Sequence, residues 1–345
     1  MQRRWIAVLS IFLPLAFGGY LYLSYRFDDK SIAIYPTNGS WNPPETGERF
    51  VALAYCGARL GNEMYRLLSG YGIARRLNRS LFFLHDSFDK RVLGYYCEMG
   101  QAFAKLANDS TLMRSTSLPG LEKIDGCNHV PFNIISNEAE YTIVPLATDH
   151  EGVPICYNYE DPSRYADHPA KSLMLNQIFA QNVRYFYDYL PEIRSLLEFS
   201  PHLQQRGERI LEQLGSNITN AMCVHLRQGD YAFGSPLNST LTLSAMRLLA
   251  SRHNLSRYFL FGDDQSYMKG LASELTNLKE GKIAAYSVYD EFEDFYLASR
   301  LCDSFLIARS VSTFGWWLAF FVQNQNAVYY MYGSKYDRRI PEFFL

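Results

Sequence analysis

The chain has no excess of charge of either sign. Its 33 Lys and Arg stand against 35 Asp and Glu, a formal net charge of −2. Without a basic face it is not built as a general nucleic-acid binder. Its cysteines are Cys56, Cys97, Cys127, Cys156, Cys223 and Cys302, and no Cys-x-x-Cys pair occurs among them. That argues against a zinc or thioredoxin-type site. Gly-x-Gly-x-x-Gly is also missing, so a nicotinamide or flavin site is a poor reading. There is no internal repeat and no low-complexity tract. What the chain does have is apolar material: 48% hydrophobic and 15% aromatic residues over 345 positions. That is enough for a large core and two domains of ordinary size.

The amino terminus reads as a membrane signal. Arg3 and Arg4 precede Trp5–Tyr25, a stretch with no charge. As a helix it would span about 31 Å, roughly one bilayer core. The arginines should stay cytosolic. Residues 1–4 are then a cytosolic tail, 5–25 a signal-anchor and 26–48 a Pro/Gly/Asn-rich stem. A cleaved signal peptide is the rival, with Ala16-Phe17-Gly18 as a passable site, but Tyr20-Leu21-Tyr22-Leu23 carries the apolar run past it. Sequons at Asn38, Asn78, Asn108, Asn217, Asn238 and Asn254 agree with a luminal remainder. In an oxidising lumen some cysteines pair, without the sequence choosing which. Cys223 and Cys302 lie in strongly apolar segments and read as buried free thiols.

From Arg49 onward strands and helices alternate, the pattern of doubly wound parallel sheets. Phe50–Tyr55 is a strand, 57–62 a glycine turn with Asn62 as a helix cap, 63–77 a helix and Leu81–Leu84 a second strand. Residues 85–175 read as loops and small helices, and Lys171–Leu197 as one or two helices around Pro191. In the second half, Glu208–Leu214, Thr242–Arg252, Asp290–Leu301 and Ser312–Gln323 read as helices. Ala221–Leu226, Tyr258–Phe261, Ser304–Ala308 and Ala327–Tyr332 read as strands.

Three strand-to-loop corners of the second half carry polar residues, and in a parallel sheet they open on one edge. The first holds His225, Arg227 and Asp230. Arg227 is a ready clamp for a phosphate, or else pairs with Asp230 to pin a loop. His225 reads better as a structural histidine than as a base. The second corner is Gly262-Asp263-Asp264, which can meet a ribose, a base or a metal, or simply turn the chain. The third runs from Ser310 to Trp317. Ser312 or Thr313 caps a helix whose free amides suit a phosphate, and Trp316 and Trp317 read as core. Glu291 and Glu293 complement a helix dipole.

In this order, His-x-Arg-x-Gly-Asp-Tyr, Phe-Gly-Asp-Asp and Asp294…Cys302…Ser-Thr-Phe-Gly-Trp-Trp resemble the α-1,2-fucosyltransferase family. Gly57-x-Arg59-Leu60-Gly61-Asn62-x-Met64-Tyr65 resembles that family's amino-terminal motif. The resemblance implies a GT-B-like fold, two Rossmann-like domains facing a cleft, with residues 49–195 on the acceptor side and 196–345 binding the donor. It implies a Golgi type II membrane enzyme that moves L-fucose, with inversion, from GDP-fucose to a galactose-type acceptor on a glycoprotein or glycolipid. No metal and no further cofactor is implied. Arg227 matches the arginine on the donor pyrophosphate. Gln228, Asp264, Ser312, Thr313, Phe314, Gly61 and Asn62 are the other donor-side positions, and Arg227, Asp230 and His225 the catalytic candidates. Asp264 and Glu63 are further candidates for the acceptor's base. Many family members carry a second arginine where this chain has Gln228. The glutamine can still donate hydrogen bonds, or a neighbouring Arg or Lys substitutes. Alternatives are a membrane-tethered luminal binding protein without turnover, and a transferase using another nucleotide sugar.

Overall fold

The computed structural model describes residues 48–331, apart from 55–57, 85–89, 110–111, 113–114, 117–129, 132–133, 136–140, 150, 154, 216–219 and 230–235. The tail, anchor and nearly all of the stem, Cys56, Cys127, Asn38, Asn217, Asp230 and Tyr231 lie outside the described residues. Among the described residues no helix is long and apolar enough to cross a membrane.

The first half runs β1 Phe50–Leu53, α1 Leu60–Leu77, β2 Ser80–Leu81, β3 Phe83–Leu84, α2 Lys90–Ala102, α3 Ala104–Asn108, β4 Ser115–Thr116, β5 Val130–Pro131, β6 Ile134–Ile135, β7 Thr142–Pro145, β8 Ser172–Asn176, α4 Leu190–Leu196 and α5 Pro201–Leu214. The second runs β9 Ala221–Leu226, α6 Ser239–Arg252, β10 Arg257–Gly262, α7 Gln265–Leu275, β11 Ile283–Tyr286, α8 Glu291–Leu301, β12 Cys302–Ile307, α9 Thr313–Phe321 and β13 Val328–Tyr330. Both main sheets are parallel, as expected for this α/β chain. The first has the order β2-β1-β8-β7 and the second β11-β10-β9-β12-β13.

The second sheet explains its own sequence. Helices cover both faces, so its central strands are apolar without alternation, and β9 is buried along its whole length. Met222, Val224 and Leu226 face α6 and α7, among Leu243, Met246, Met268 and Leu271. Cys223 faces the other way with Phe259, Phe305 and Ile307, into the main core that also holds α1, α8 and α9. The two faces of this one strand therefore serve two cores, and the period-2 alternation decides which residue serves which.

The structure corrects several expectations. Cys223 and Cys302 are not free thiols. They form a disulfide between neighbouring strands, Cα–Cα 5.5 Å. The register of β12 against β9 slips between Cys302 and Ser304, which turns Cys302 toward Cys223. Cys97 is also disulfide-bonded. Lys171–Leu197 is not helical throughout: Ser172–Asn176 is β8, a central strand. Pro191 opens α4, where its fixed φ suits the first turn. Leu81–Leu84 splits at Phe82 into β2 and β3, which pair with different partners. Residues 85–175 include a 13-residue helix, α2, and the strand β7 as well as loops. Helix α7 and strand β11 were not foreseen. Gly270 breaks the helical signal of α7, and β11 is four half-buried residues whose Ile-Ala-Ala-Tyr run is short and poor in bulky β-formers.

The disulfide yields a stability test. Cys223 and Cys302 are 79 residues apart in sequence. Replacing both with alanine should cost about 2–4 kcal/mol, read by denaturant unfolding of the non-reduced protein. An unchanged midpoint would show that the bond adds nothing.

Candidate active site

The chain leaves β9 toward β10 on one side of the second sheet and reaches β12 on the other. The crevice outside the carboxyl ends of β9 and β12 is therefore the switch point, where open α/β sheets bind ligands. Because β9, β10 and β12 are parallel, their exits share an edge. They deliver Arg227-Gln228-Gly229, Asp263-Asp264 and Ala308–Ser312.

Asp263 organises the first two exits. Its Oδ1 accepts the Gln228 and Gly229 amides at 2.8 and 3.0 Å, and its Oδ2 lies 3.3 Å from Arg227 Nε. Burial alone would raise the carboxyl, but these amides and the guanidinium hold it below the usual carboxylate range. The Arg227 side chain remains 18% exposed, enough for an anion to reach it. Asp264 turns away and caps α7 by accepting the Tyr267 amide at 2.9 Å. Gln228 also turns away. It is buried, and its Oε1 accepts the Leu237 amide at 2.8 Å on the α6 side of the sheet.

His225 is sealed inside the wall of the crevice. Its ring lies 5.8 Å from that of Phe314, and its Nδ1 has no hydrogen-bond partner among the described residues. Burial, helped by the Arg227 charge and opposed by Asp263, pushes its pKa down to about 3, so the ring is neutral. A Cβ on Gly315 would sit 2.5 Å from that Nδ1. The glycine of Phe-Gly-Trp-Trp is thus required by the histidine of His-x-Arg.

The third exit opens α9. Ser312 caps it by accepting the Gly315 amide at 3.2 Å. Its first turn abuts the first turn of α1. The Thr313 hydroxyl donates to Asn62 Oδ1 at 2.7 Å, Gln181 Nε2 donates to the same oxygen at 3.0 Å, and Trp317 Nε1 donates to the Gly61 carbonyl at 2.9 Å. A Cβ on Gly61 would lie 2.7 Å from the Phe314 nitrogen. Asn62 is therefore not the cap of α1. The helix begins at Leu60, one turn earlier, because Thr313 and Gln181 engage the Asn62 side chain. Trp316 and Trp317 are both core, as read.

The remaining acids have other partners. Glu63 is buried in the first half, where Oε2 accepts from the Tyr96 hydroxyl at 3.0 Å and lies 3.5 Å from Arg66 Nη1. Glu293 does more than complement a dipole: with Asp290 it forms a capping box on α8, and both pair with Arg206. Asp294 points inward and accepts from the Ser287 hydroxyl. Burial raises its carboxyl well above the usual range, the Ser287 bond opposing and the charges of Asp290, Glu291 and Glu293 adding to it. Among the described residues no cluster of His, Cys, Asp and Glu is arranged to hold a metal ion.

Residues 158–340 match the pattern of glycosyl transferase family 11, more than half of the 345-residue chain. The chain belongs to glycosyl transferase family 11. A galactoside 2-alpha-L-fucosyltransferase of Caenorhabditis elegans is 28% identical over 277 residues, covering 79% of this chain and 69% of the relative. A second protein of that name and organism is 22% identical over 309 residues, 82% and 70% of the two chains. Among solved structures, a mutant of Arabidopsis thaliana FUT1 in complex with GDP matches with a TM-score of 0.49 at 13% identity, over 91% of this chain and 76% of that one. The family match takes in all three strand exits of the second sheet, while the α1 turn precedes it.

Of the donor-side positions read from the sequence, Arg227 stands at the crevice edge, and Gly61, Asn62, Ser312, Thr313 and Phe314 meet at the junction of two helix starts. Asp264 and Gln228 serve neighbouring helices and loops. Asp263, read with Asp264 as a ribose, base or metal contact or as a turn residue, pairs with Arg227 instead. One residue at the edge was not singled out: Arg309, whose Nε donates to the Arg227 carbonyl at 3.0 Å. The pairing of β9 with β10 and β12 puts both there, and for Arg309 only that pairing could have pointed to it.

Two outcomes follow from this packing. Gly61→Ala drives a Cβ into backbone atoms of α9 and should cost about 1–3 kcal/mol, with loss of activity, measured by thermal unfolding and turnover. An unperturbed melt would contradict the tight junction. For His225 the folded pKa lies below the unfolded one. Its contribution is complete above pH 6.5 and is lost as pH falls from 6.5 toward 3. His225→Gln should flatten that part of the stability–pH curve, and an identical slope in both proteins would refute it.

Proposed function

We propose that the protein is an inverting glycosyltransferase that moves L-fucose from GDP-fucose in α-1,2 linkage onto a galactose unit of a glycan. The observation that carries this reading is the placement of Arg227 at the switch point of the second sheet in a family 11 chain, beside the start of α9. The curated relatives named above supply the sugar and the linkage.

In the reaction the fucose C1–O bond to the β-phosphate breaks and a new C1–O bond forms to the acceptor 2-hydroxyl oxygen on the opposite face. The hydroxyl gives up its proton to a base, and GDP leaves with the bonding electrons. Negative charge grows on the departing diphosphate. Arg227 meets it with a planar fork of donors. The amino-terminal ends of α1 and α9 converge at Gly61 and Thr313, adding the positive ends of two helix dipoles. Asp263 holds Arg227 in place before the donor arrives, so little reorganisation is needed as charge develops.

The wider reading is GT-B-like, with residues 49–195 on the acceptor side and 196–345 binding the donor. Trp5–Tyr25 anchors a luminal enzyme in the Golgi membrane. Supporting the luminal placement, Asn78, Asn108, Asn238 and Asn254 are all exposed, and the Cys223–Cys302 disulfide fits an oxidising compartment.

Incubation with GDP-fucose and galactose-terminated glycans, with and without EDTA, should give fucose transfer in both arms. Arg227→Lys should lose roughly 10²–10³ in turnover, the typical effect of removing one preorganised electrostatic donor. Near-normal turnover of Arg227→Lys would overturn its assignment. GDP-fucose binding with neither transfer nor hydrolysis would identify a tethered binding protein instead.

A further inference from the structure

A diphosphate offers more acceptor oxygens than one guanidinium can serve, and the alternation of β9 shows where a second one can stand. His225 and Arg227 continue the face of Cys223, toward α9 and the crevice. Gln228 falls on the opposite face and is committed to the Leu237 amide. The Gln228 side chain is therefore turned from the crevice. The neighbouring strand is different. Ile307 pairs with His225, and the Ala308 amide donates to the His225 carbonyl at 3.1 Å. That bond closes the Ile307–His225 pair, the last of the register, and two residues further on the Arg309 side chain reaches the Arg227 backbone. Arg309 Nε donates to the Arg227 carbonyl at 3.0 Å, which fixes the guanidinium by its inner nitrogen. Arg309 is half-buried and lies three residues before Ser312, the cap of α9.

We propose that Arg309 is the second guanidinium of the donor diphosphate site, partner to Arg227 across the β9–β12 switch point. This rests on the nucleotide-sugar reading above. Both arginines leave adjacent parallel strands on the same face of the sheet, so their forks meet one ligand from two sides. The backbone hydrogen bond between them couples their positions: a shift of one strand exit moves both.

The test uses the full-length chain in detergent and compares GDP with GMP by titration calorimetry. A residue on the terminal phosphate affects GDP and spares GMP. Wild type should prefer GDP. Arg309→Met should lose roughly 10- to 100-fold of GDP affinity, the range for a charge-assisted hydrogen bond, while GMP changes by less than about threefold. Arg309→Lys should recover part of the loss, because it keeps the charge without the fork. Should Arg309→Met fail to fold, Arg309→Gln retains a donor for the Arg227 carbonyl and reports the same ratio. A GDP-to-GMP preference equal to wild type in these variants, or an equal loss for both nucleotides, would overturn the assignment and leave Arg309 a strut for the Arg227 backbone. Wild-type protein with no preference for GDP would instead take down the nucleotide-sugar reading, and this proposal with it.

Discussion

The arrangement of the site depends on the contact of two helix starts. Helix α1 follows the first strand of the first sheet, α9 follows the fourth strand of the second, and their opening turns touch with no space for a side chain at Gly61. The contact brings two positive helix ends together, which is unfavourable unless oxygen atoms come between them. Here the Asn62 side-chain oxygen and the Gly61 carbonyl take donors from Thr313, Gln181 and Trp317. What is left is an electropositive junction at the edge of the second sheet. An anionic donor sugar would complete it.

Around that junction the polar residues are divided by burial. Asp263 is held ionised by two amides and Arg227. His225, one step deeper on the same strand face, is held neutral by burial against Phe314 and Gly315. Asp294, deeper in α8, is pushed toward its protonated form. A charge is kept only where backbone amides or a counter-ion face it, and elsewhere the group is neutralised. Of the described acids, Asp263 faces Arg227, while Asp264 caps α7 and Asp294 turns into the core.

Much of the second half was legible in the sequence. Its strands are buried on both faces, so each reads as an apolar run of the right length, and Ala221–Leu226 matches the strand observed. Its helices carry side-chain caps at Asn238, Asp290 and Ser312. The first half was less so. Strand β8 is five residues whose burial resembles that of a helix turn, and β2 and β3 are two residues each, too short for any period to show. Cys223 and Cys302 read as inert because each sits in an apolar strand, and their bond became visible only when those strands proved to be neighbours.

By itself the sequence determined the class of fold, the edge at which the chemistry gathers, and the motifs that mark family 11. Those are local properties: apolar runs, caps, and an arginine placed just past a strand. Only the tertiary structure decided which polar residues share that edge. Asp263 rather than Asp264 meets Arg227, Gln228 turns away, Arg309 comes alongside, and Asn62 bridges two helices instead of capping one. The physical reason is strand pairing. Register and alternation assign a side chain to a face and a neighbour, and neither is written in the order of residues along one strand.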